Sequence, residues 1–288
     1  MLPPLHLEHN SFTTYKCVDK KVRPIAGPFP KEARVLRNIP EDPLITLPPL
    51  SPNPPKFIPS TKITHECLEI LNLNPEGFLW LEKDKLFQHI MQLNEEALAF
   101  EETDRGTLKE SYFSPYIYPT VPHTPWVYKN IPIPPGIKDQ VVQLLRDKIK
   151  AGVYEPSQSA YWSRWFCVVK KNGKLRIVHD LQPLNKVSIR DAGLPPIIND
   201  FVTPYAGCPC NTVFDLFWGF DARKVHPASR DLTAFQTPLG LLCLTSMPMG
   251  YTNSPAEFQN SMSFVLQDEI PNKANIFIDD CGIQGPLT

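Results

Sequence analysis

Proline limits this chain more than any other residue. There are 33 prolines against 13 glycines in 288 residues, and thirteen of the prolines fall in residues 1–60, beside a single glycine, Gly27. Proline fixes φ and removes a backbone donor, so such a stretch builds neither ladders nor long helices. Residues 1–60 are therefore expected to form an extended, semi-rigid leader without a packed core of their own. Prolines gather again between Pro115 and Pro135, marking a second extended connector. The intervening stretch changes character. Its apolar positions (Phe78–Leu81, Leu86, Phe87, Ile90, Met91, Leu93, Ala97, Leu98, Phe100) follow helical spacing. Nine acidic and four basic residues between Glu76 and Glu110 give that helix an acidic outer face, with the apolar stripe expected to pack on something downstream.

Residues 61–136 thus read as a helical segment with its connector, and residues 137–288 as the domain that follows. A helix is expected from Ile137 to Lys150, with Val141, Val142, Leu144, Leu145 and Ile149 on one face and Gly152 as its left-handed cap. Short β-type runs follow at Trp165–Val169, Leu175–Val178, Thr212–Leu216, Leu241–Thr245 and Ile276–Ile278. Helical stretches around Ile197–Tyr205 and Ser254–Leu266 lie between some of them. Strands and helices that do not alternate regularly point to an α+β domain.

Composition excludes several classes. Basic and acidic residues number 29 and 30, so binding of nucleic acid as a bulk polycation is ruled out while a local basic face is not. No run of 18 apolar residues is present, so no transmembrane helix or membrane partner is expected, and the start lacks the pattern of a secretory signal. The seven cysteines (17, 67, 167, 208, 210, 243 and 281) are odd in number and scattered, as free thiols of a reducing compartment would be. Cys208 and Cys210 have the wrong spacing for a zinc knuckle. A cytoplasmic location is expected.

Three carboxylates stand out. Asp215 ends the run Thr212-Val213-Phe214, so it is expected at the end of a buried strand. Asp279 and Asp280 follow the apolar run Ala274–Ile278 and precede Cys281-Gly282, as at a hairpin tip. Neighbouring buried carboxylates need a cation, or one must protonate, and Mg²⁺ takes oxygen ligands of this kind. The spacing alone admits a second reading, a surface Asp-Asp turn and an unrelated buried Asp. Residues 161–190 carry seven basic residues against one acid, Asp180. Within them Lys170-Lys171-Asn172-Gly173-Lys174 reads as a hairpin turn, a basic holder for polyphosphate or simply a solvated surface. Finally, Met249-Gly250 forms a turn leading to Ser254 as a helix cap, with Pro255 at the first helical position.

Taken in order, these runs resemble the fingers and palm of reverse transcriptases, specifically those of gypsy-type LTR retrotransposons. The matching runs are Phe166–Lys171, Leu175–Asn185, Phe214–Phe220, Leu232–Pro238, Pro248–Gln259 and Phe277-Ile278-Asp279-Asp280. The last is similar to the family's Tyr-x-Asp-Asp signature, with phenylalanine in the first place.

The resemblance implies a right-hand polymerase fold of fingers and partial palm, and an RNA-directed DNA polymerase using Mg²⁺ (or Mn²⁺) on Asp215, Asp279 and Asp280. It implies Lys170, Lys171 and Arg176 as contacts of the incoming triphosphate, Phe220 as the gate against a ribose 2′-OH, and Met249 and Gly250 in the nucleotide pocket. The partners implied are an RNA/DNA template-primer and dNTPs, with RNase H and integrase downstream in an intact polyprotein, in the cytoplasm or in retrotransposon particles. Gln182 departs from the family's arginine. The sequence ends eight residues after Asp280, before a thumb, so little processive activity is expected of the chain alone. The competing reading is a non-enzymatic, degenerate remnant that binds nucleic acid at most. A more distant one is an unrelated Mg²⁺ phosphotransferase.

Overall fold

The computed structural model describes residues 23–75, 77–100, 104–171, 173–193 and 195–285. The first 22 residues with Cys17, Glu76 at the start of the acidic stretch, and Asn172 of the basic turn lie outside them. Helices α1 (His65–Leu71), α2 (Leu81–Leu93) and α3 (Lys138–Lys150) come first, then strands β1 (Tyr154–Pro156), β2 (Trp165–Val169) and β3 (Leu175–His179). Next are α4 (Gln182–Val187), α5 (Ile198–Val202), β4 (Asn211–Asp215), α6 (Pro227–Arg230), β5 (Phe235–Thr237) and β6 (Gly240–Leu244). Finally come α7 (Ser254–Val265), β7 (Ala274–Phe277) and β8 (Asp280–Gln284). All strand pairs are antiparallel, in three small sheets ordered β1-β6-β5, β2-β3 and β4-β8-β7. This is an α+β fold.

Local chemistry explains the best-formed helix. Val141 and Leu145, four apart in α3, are fully buried and pack with Tyr154, Trp165 and Phe235 in one core cluster. The helix stops at Gly152, whose φ is +67°. There the Gly152 N–H donates to the Ile149 carbonyl (2.9 Å) and the Val153 N–H to the Lys148 carbonyl (3.0 Å), the paired bonds that close a helix on a left-handed residue. The stretch expected as one helix over 197–205 divides instead. It is α5 followed by a 3₁₀ turn at Thr203–Tyr205, because Pro204 supplies no N–H to continue an α-helix.

The described parts of the proline-rich segments hold only short 3₁₀ turns, at Lys31–Ala33, Pro43–Thr46 and Pro135–Ile137, yet they are not mere spacers. The connector touches the domain through isolated bridges, Tyr116 with Val225, Thr120 with Ser188 and Val127 with Trp162. Between these it buries Tyr116, Tyr118 and Trp126 in a core cluster with Leu181, Leu184, Met247 and Tyr251. Proline forbids a continuous ladder but not the burial of aromatic neighbours. The leader docks similarly. The Ile25 N–H donates to the Ser188 carbonyl (2.8 Å), the Arg190 N–H donates to the Ile25 carbonyl (2.9 Å), and the Asn38 N–H donates to the Tyr112 carbonyl (2.9 Å).

By contrast, no residue of α1 or α2 is buried, and Trp80 is 80% exposed. The apolar stripe expected to pack downstream is only half-covered. No helix among the described residues is long and apolar enough to cross a membrane. The six described cysteines are free.

One ion pair joins these parts. Arg223 and Glu257 are buried, with Nε to Oε1 at 2.9 Å, and Arg37 of the leader reaches the second oxygen of Glu257 at 2.9 Å. Arg223 also donates to the Ser114 carbonyl (2.6 Å), and Ser261 donates to Glu257 (2.9 Å). Replacing one partner of a buried pair strands the other charge, which costs about 3–5 kcal/mol. Glu257→Leu should therefore lower unfolding free energy by about that amount in denaturant titrations. The double substitution Arg223→Leu, Glu257→Leu should recover much of the loss, and a double variant weaker than the single one would refute the assignment.

Candidate active site

The carboxylates are placed by strand register. Asp215, the last residue of β4, lies opposite Asp280, the first residue of β8, and directly opposed residues in an antiparallel pair share a face. Ile278 and Asp279 form the two-residue reversal between β7 and β8, with Phe277 paired to Asp280. Past Asp215 the Leu216 N–H donates to the Asp279 carbonyl at 2.8 Å. All three acids therefore sit at adjacent backbone positions of one sheet. Ile278 carries a φ of +60°, a left-handed conformation that a β-branched residue adopts only at a cost.

One expectation needs correction: β4 is an edge strand, and Val213 and Phe214 within it are exposed. Asp215 and Asp280 are exposed too, and Asp279 is half-buried, so hydration relieves the repulsion that burial would have intensified. Among the described residues no three His, Cys, Asp or Glu side chains are grouped closely enough to hold a metal. Strand register brings the three backbones together, and like charge between neighbouring carboxylates opposes a closer grouping of their side chains.

The basic hairpin β2–β3 pairs Val168 with Arg176. Its turn is closed by the Lys170 N–H on the Lys174 carbonyl (2.8 Å) and the Gly173 N–H on the Lys170 carbonyl (2.9 Å), leaving Lys170 and Lys171 exposed. Arg176 Nη2 lies 2.8 Å from Met249 Sδ, which brings the hairpin against the 247–253 loop. Asn185 braces that loop, with its Nδ2 donating to the Gly250 carbonyl (3.0 Å) and its Oδ1 accepting from the Thr252 N–H (2.9 Å).

Ser254 is not the helix cap. It is the first helical residue, Asn253 precedes it, and Pro255 is the second residue of the helix. The Ser254 hydroxyl donates back to the Pro248 carbonyl (2.7 Å), and the Asn253 side chain instead holds the Ile189 carbonyl (2.9 Å). Phe220 stands in a 3₁₀ turn, Gly219–Ala222, its ring 5.4 Å from that of Phe258. The helix α7 thus fixes the proposed gate.

Residues 168–285 match the family described as reverse transcriptase (RNA-dependent DNA polymerase). That segment belongs to the reverse transcriptase family.

Its relatives include the retrovirus-related Pol polyprotein from transposon 412 of Drosophila melanogaster, 32% identical over 155 residues, which cover 52% of this chain and 12% of that protein. The polyprotein from Drosophila transposon 297 is 27% identical over 199 residues, covering 67% of this chain and 18% of that protein. The chain therefore corresponds to less than a fifth of either polyprotein. In fold it is similar to the protease-reverse transcriptase of prototype foamy virus, with a TM-score of 0.67 and 24% identity over 79% of this chain and 30% of that one. A foamy viral enzyme solved in complex with RNA/DNA hybrid gives 0.68 and 21%, covering 81% of this chain and 31% of that one.

Sequence reading missed several residues of this reverse transcriptase segment. Asn185 and Gln259 brace loops, and a polar side chain among the apolar positions of α7 was the available signal for Gln259. His179 is another. Its ring lies 4.5 Å from that of Phe235, Nε2 is 3.0 Å from the Tyr154 hydroxyl, and Nδ1 is buried without a partner. Burial pushes its pKa down from 6.5 to about 4.

The folded state therefore holds His179 neutral where the unfolded chain protonates. Stability from this group is complete above about pH 6.5 and is lost as pH falls toward 4, by at most about 3 kcal/mol. Thermal unfolding followed from pH 7 to 4 should show that slope, and His179→Gln should flatten it. An unchanged slope would remove His179 as its source.

Proposed function

We propose that this chain carries the nucleotide-incorporating palm of an RNA-directed DNA polymerase. The observation that carries this reading is the register that sets Asp215 opposite Asp280, with Asp279 in the adjoining turn, inside a reverse transcriptase segment. Oxygen-only donors at neighbouring backbone positions suit a hard divalent cation, Mg²⁺ or Mn²⁺. Asp215, Asp279 and Asp280 would hold it once their side chains turn inward. When bound, such a cation neutralises charge at the attacking and leaving oxygens of an in-line displacement.

The residues of the chain then divide the remaining work. Lys170, Lys171 and Arg176 offer positive charge to the triphosphate of an incoming dNTP, where preorganised charge lowers the barrier most. Met249 and Gly250, held by Arg176 and Asn185, offer a face for the nucleotide. Phe220, set against Phe258, fills the space a ribose 2′-OH would need. The primer 3′-OH attacks the α-phosphate, its O–P bond forms, and pyrophosphate leaves. The template-primer duplex is the macromolecular partner, and the basic face of residues 161–190 supplies its electrostatic attraction.

One alternative is a non-enzymatic remnant that only binds nucleic acid, favoured by the lack of a three-ligand grouping among the described residues. Single-nucleotide incorporation on poly(rA)/oligo(dT) with Mg²⁺ or Mn²⁺ separates the two. Incorporation by the chain that Asp215→Asn reduces at least about a hundredfold, with duplex affinity held, supports the polymerase. Duplex binding without any incorporation supports the remnant. In an incorporating protein, Phe220→Val should keep dNTP use and admit rNTPs, and unchanged discrimination would place the sugar pocket elsewhere.

A further inference from the structure

The hairpin that carries Asp279 and Asp280 turns through a backbone conformation its sequence disfavours. Ile278 lies at φ +60°, although a β-branched side chain there crowds the following carbonyl. Strained residues persist where surrounding contacts over-determine them. Ile278 packs against the cluster of Phe258, Met262 and Ile276, and one polar side chain bonds the backbone on both sides of Phe277. Gln259 of α7 is 6% exposed. Its Oε1 accepts from the Ile278 N–H at 2.7 Å, and its Nε2 donates to the Ile276 carbonyl at 3.1 Å. Nε2 also approaches the Ser263 hydroxyl at 3.2 Å.

A single amide thus bonds both backbone groups that flank Phe277, much as a neighbouring strand would. β7 is an edge strand, so this side chain supplies the pairing a further strand would have given. Only one orientation of the amide satisfies both bonds, since the Ile276 group is an acceptor and the Ile278 group a donor.

We propose that Gln259 is the positioning residue of the carboxylate turn: it locks Ile278 in its left-handed conformation and thereby fixes where Asp279 and Asp280 stand relative to Asp215. The chain of contacts is short. With Ile278 held, the Asp279 carbonyl receives the Leu216 N–H at 2.8 Å, and Asp280 enters β8 opposite Asp215. Gln259 touches no carboxylate and acts through the backbone alone. The proposal rests on the reading of these acids as cation ligands, and its test keeps the two separable.

The test uses the full chain with Mn²⁺ as the probe, measuring Mn²⁺ affinity and amide exchange at residue 278. Gln259→Leu should reduce protection of that amide and weaken the Asp215-dependent Mn²⁺ affinity by about tenfold or more, the scale seen when support for metal ligands is removed. Gln259→Glu keeps the acceptor and should retain protection of the Ile278 amide, which guards against a Leu variant that does not fold. Ile278→Gly added to Gln259→Leu should recover most of the affinity, because glycine adopts the left-handed conformation without help.

A merely structural Gln259 gives a different result: a lower melting temperature with Mn²⁺ affinity and residue-278 protection unchanged, which overturns the proposal. Failure of glycine to recover the affinity overturns it as well. If the unsubstituted chain binds no Mn²⁺ that Asp215→Asn alters, the cation reading fails. The clamp is then decided by exchange alone, with loss of protection in Gln259→Leu supporting it and unchanged protection refuting it.

Discussion

The pair between Arg223 and Glu257 is the constraint on which the arrangement of this chain depends. Both charges are withdrawn from water, so each must find its compensation inside the protein. The compensation comes from four separate pieces of sequence: Arg37 in the leader, Ser114 in the connector, Arg223 after the proposed gate, and Glu257 with Ser261 on α7. Segments without regular structure are thereby tied to the helix that supports both Phe220 and the carboxylate turn. A proline-rich segment cannot pair along its length, and a few strong anchors take the place of a ladder.

How much of this was legible in the sequence depended on distance along the chain. The helix α3 and its Gly152 stop are local patterns, and so are the hairpin β2–β3 and the acids at the strand ends. The short strands β1, β5 and β8 were not legible. Three residues are too few to show alternation, and Asp280-Cys281-Gly282-Ile283-Gln284 has little strand preference until β4 and β7 flank it. The burial of Tyr116, Tyr118 and Trp126 was hidden by the prolines around them. The side-chain braces were hidden for another reason: Asn185 acts 65 positions away on Gly250, and Gln259 acts 19 positions away on Ile278. Nothing local marks such partners.

Opposed tendencies meet at the carboxylate turn. Ladder bonds and the Gln259 amide hold three acidic positions near one another, while like charge between neighbouring carboxylates opposes their closer approach. The backbone of the turn is therefore set by bonds that involve no carboxylate. Exposure of β4 follows from the same geometry, since an edge strand has a neighbour on one side only.

The family match begins at residue 168, inside β2. The aromatic cluster that closes the core begins at Tyr116, and the bridges that fasten the leader reach back to Ile25. A piece trimmed to the matched residues would bare the undersides of Leu181, Leu184, Met247 and Tyr251 and would leave Trp165 behind. The residues that match the family and the residues that close the core thus have different boundaries in this chain.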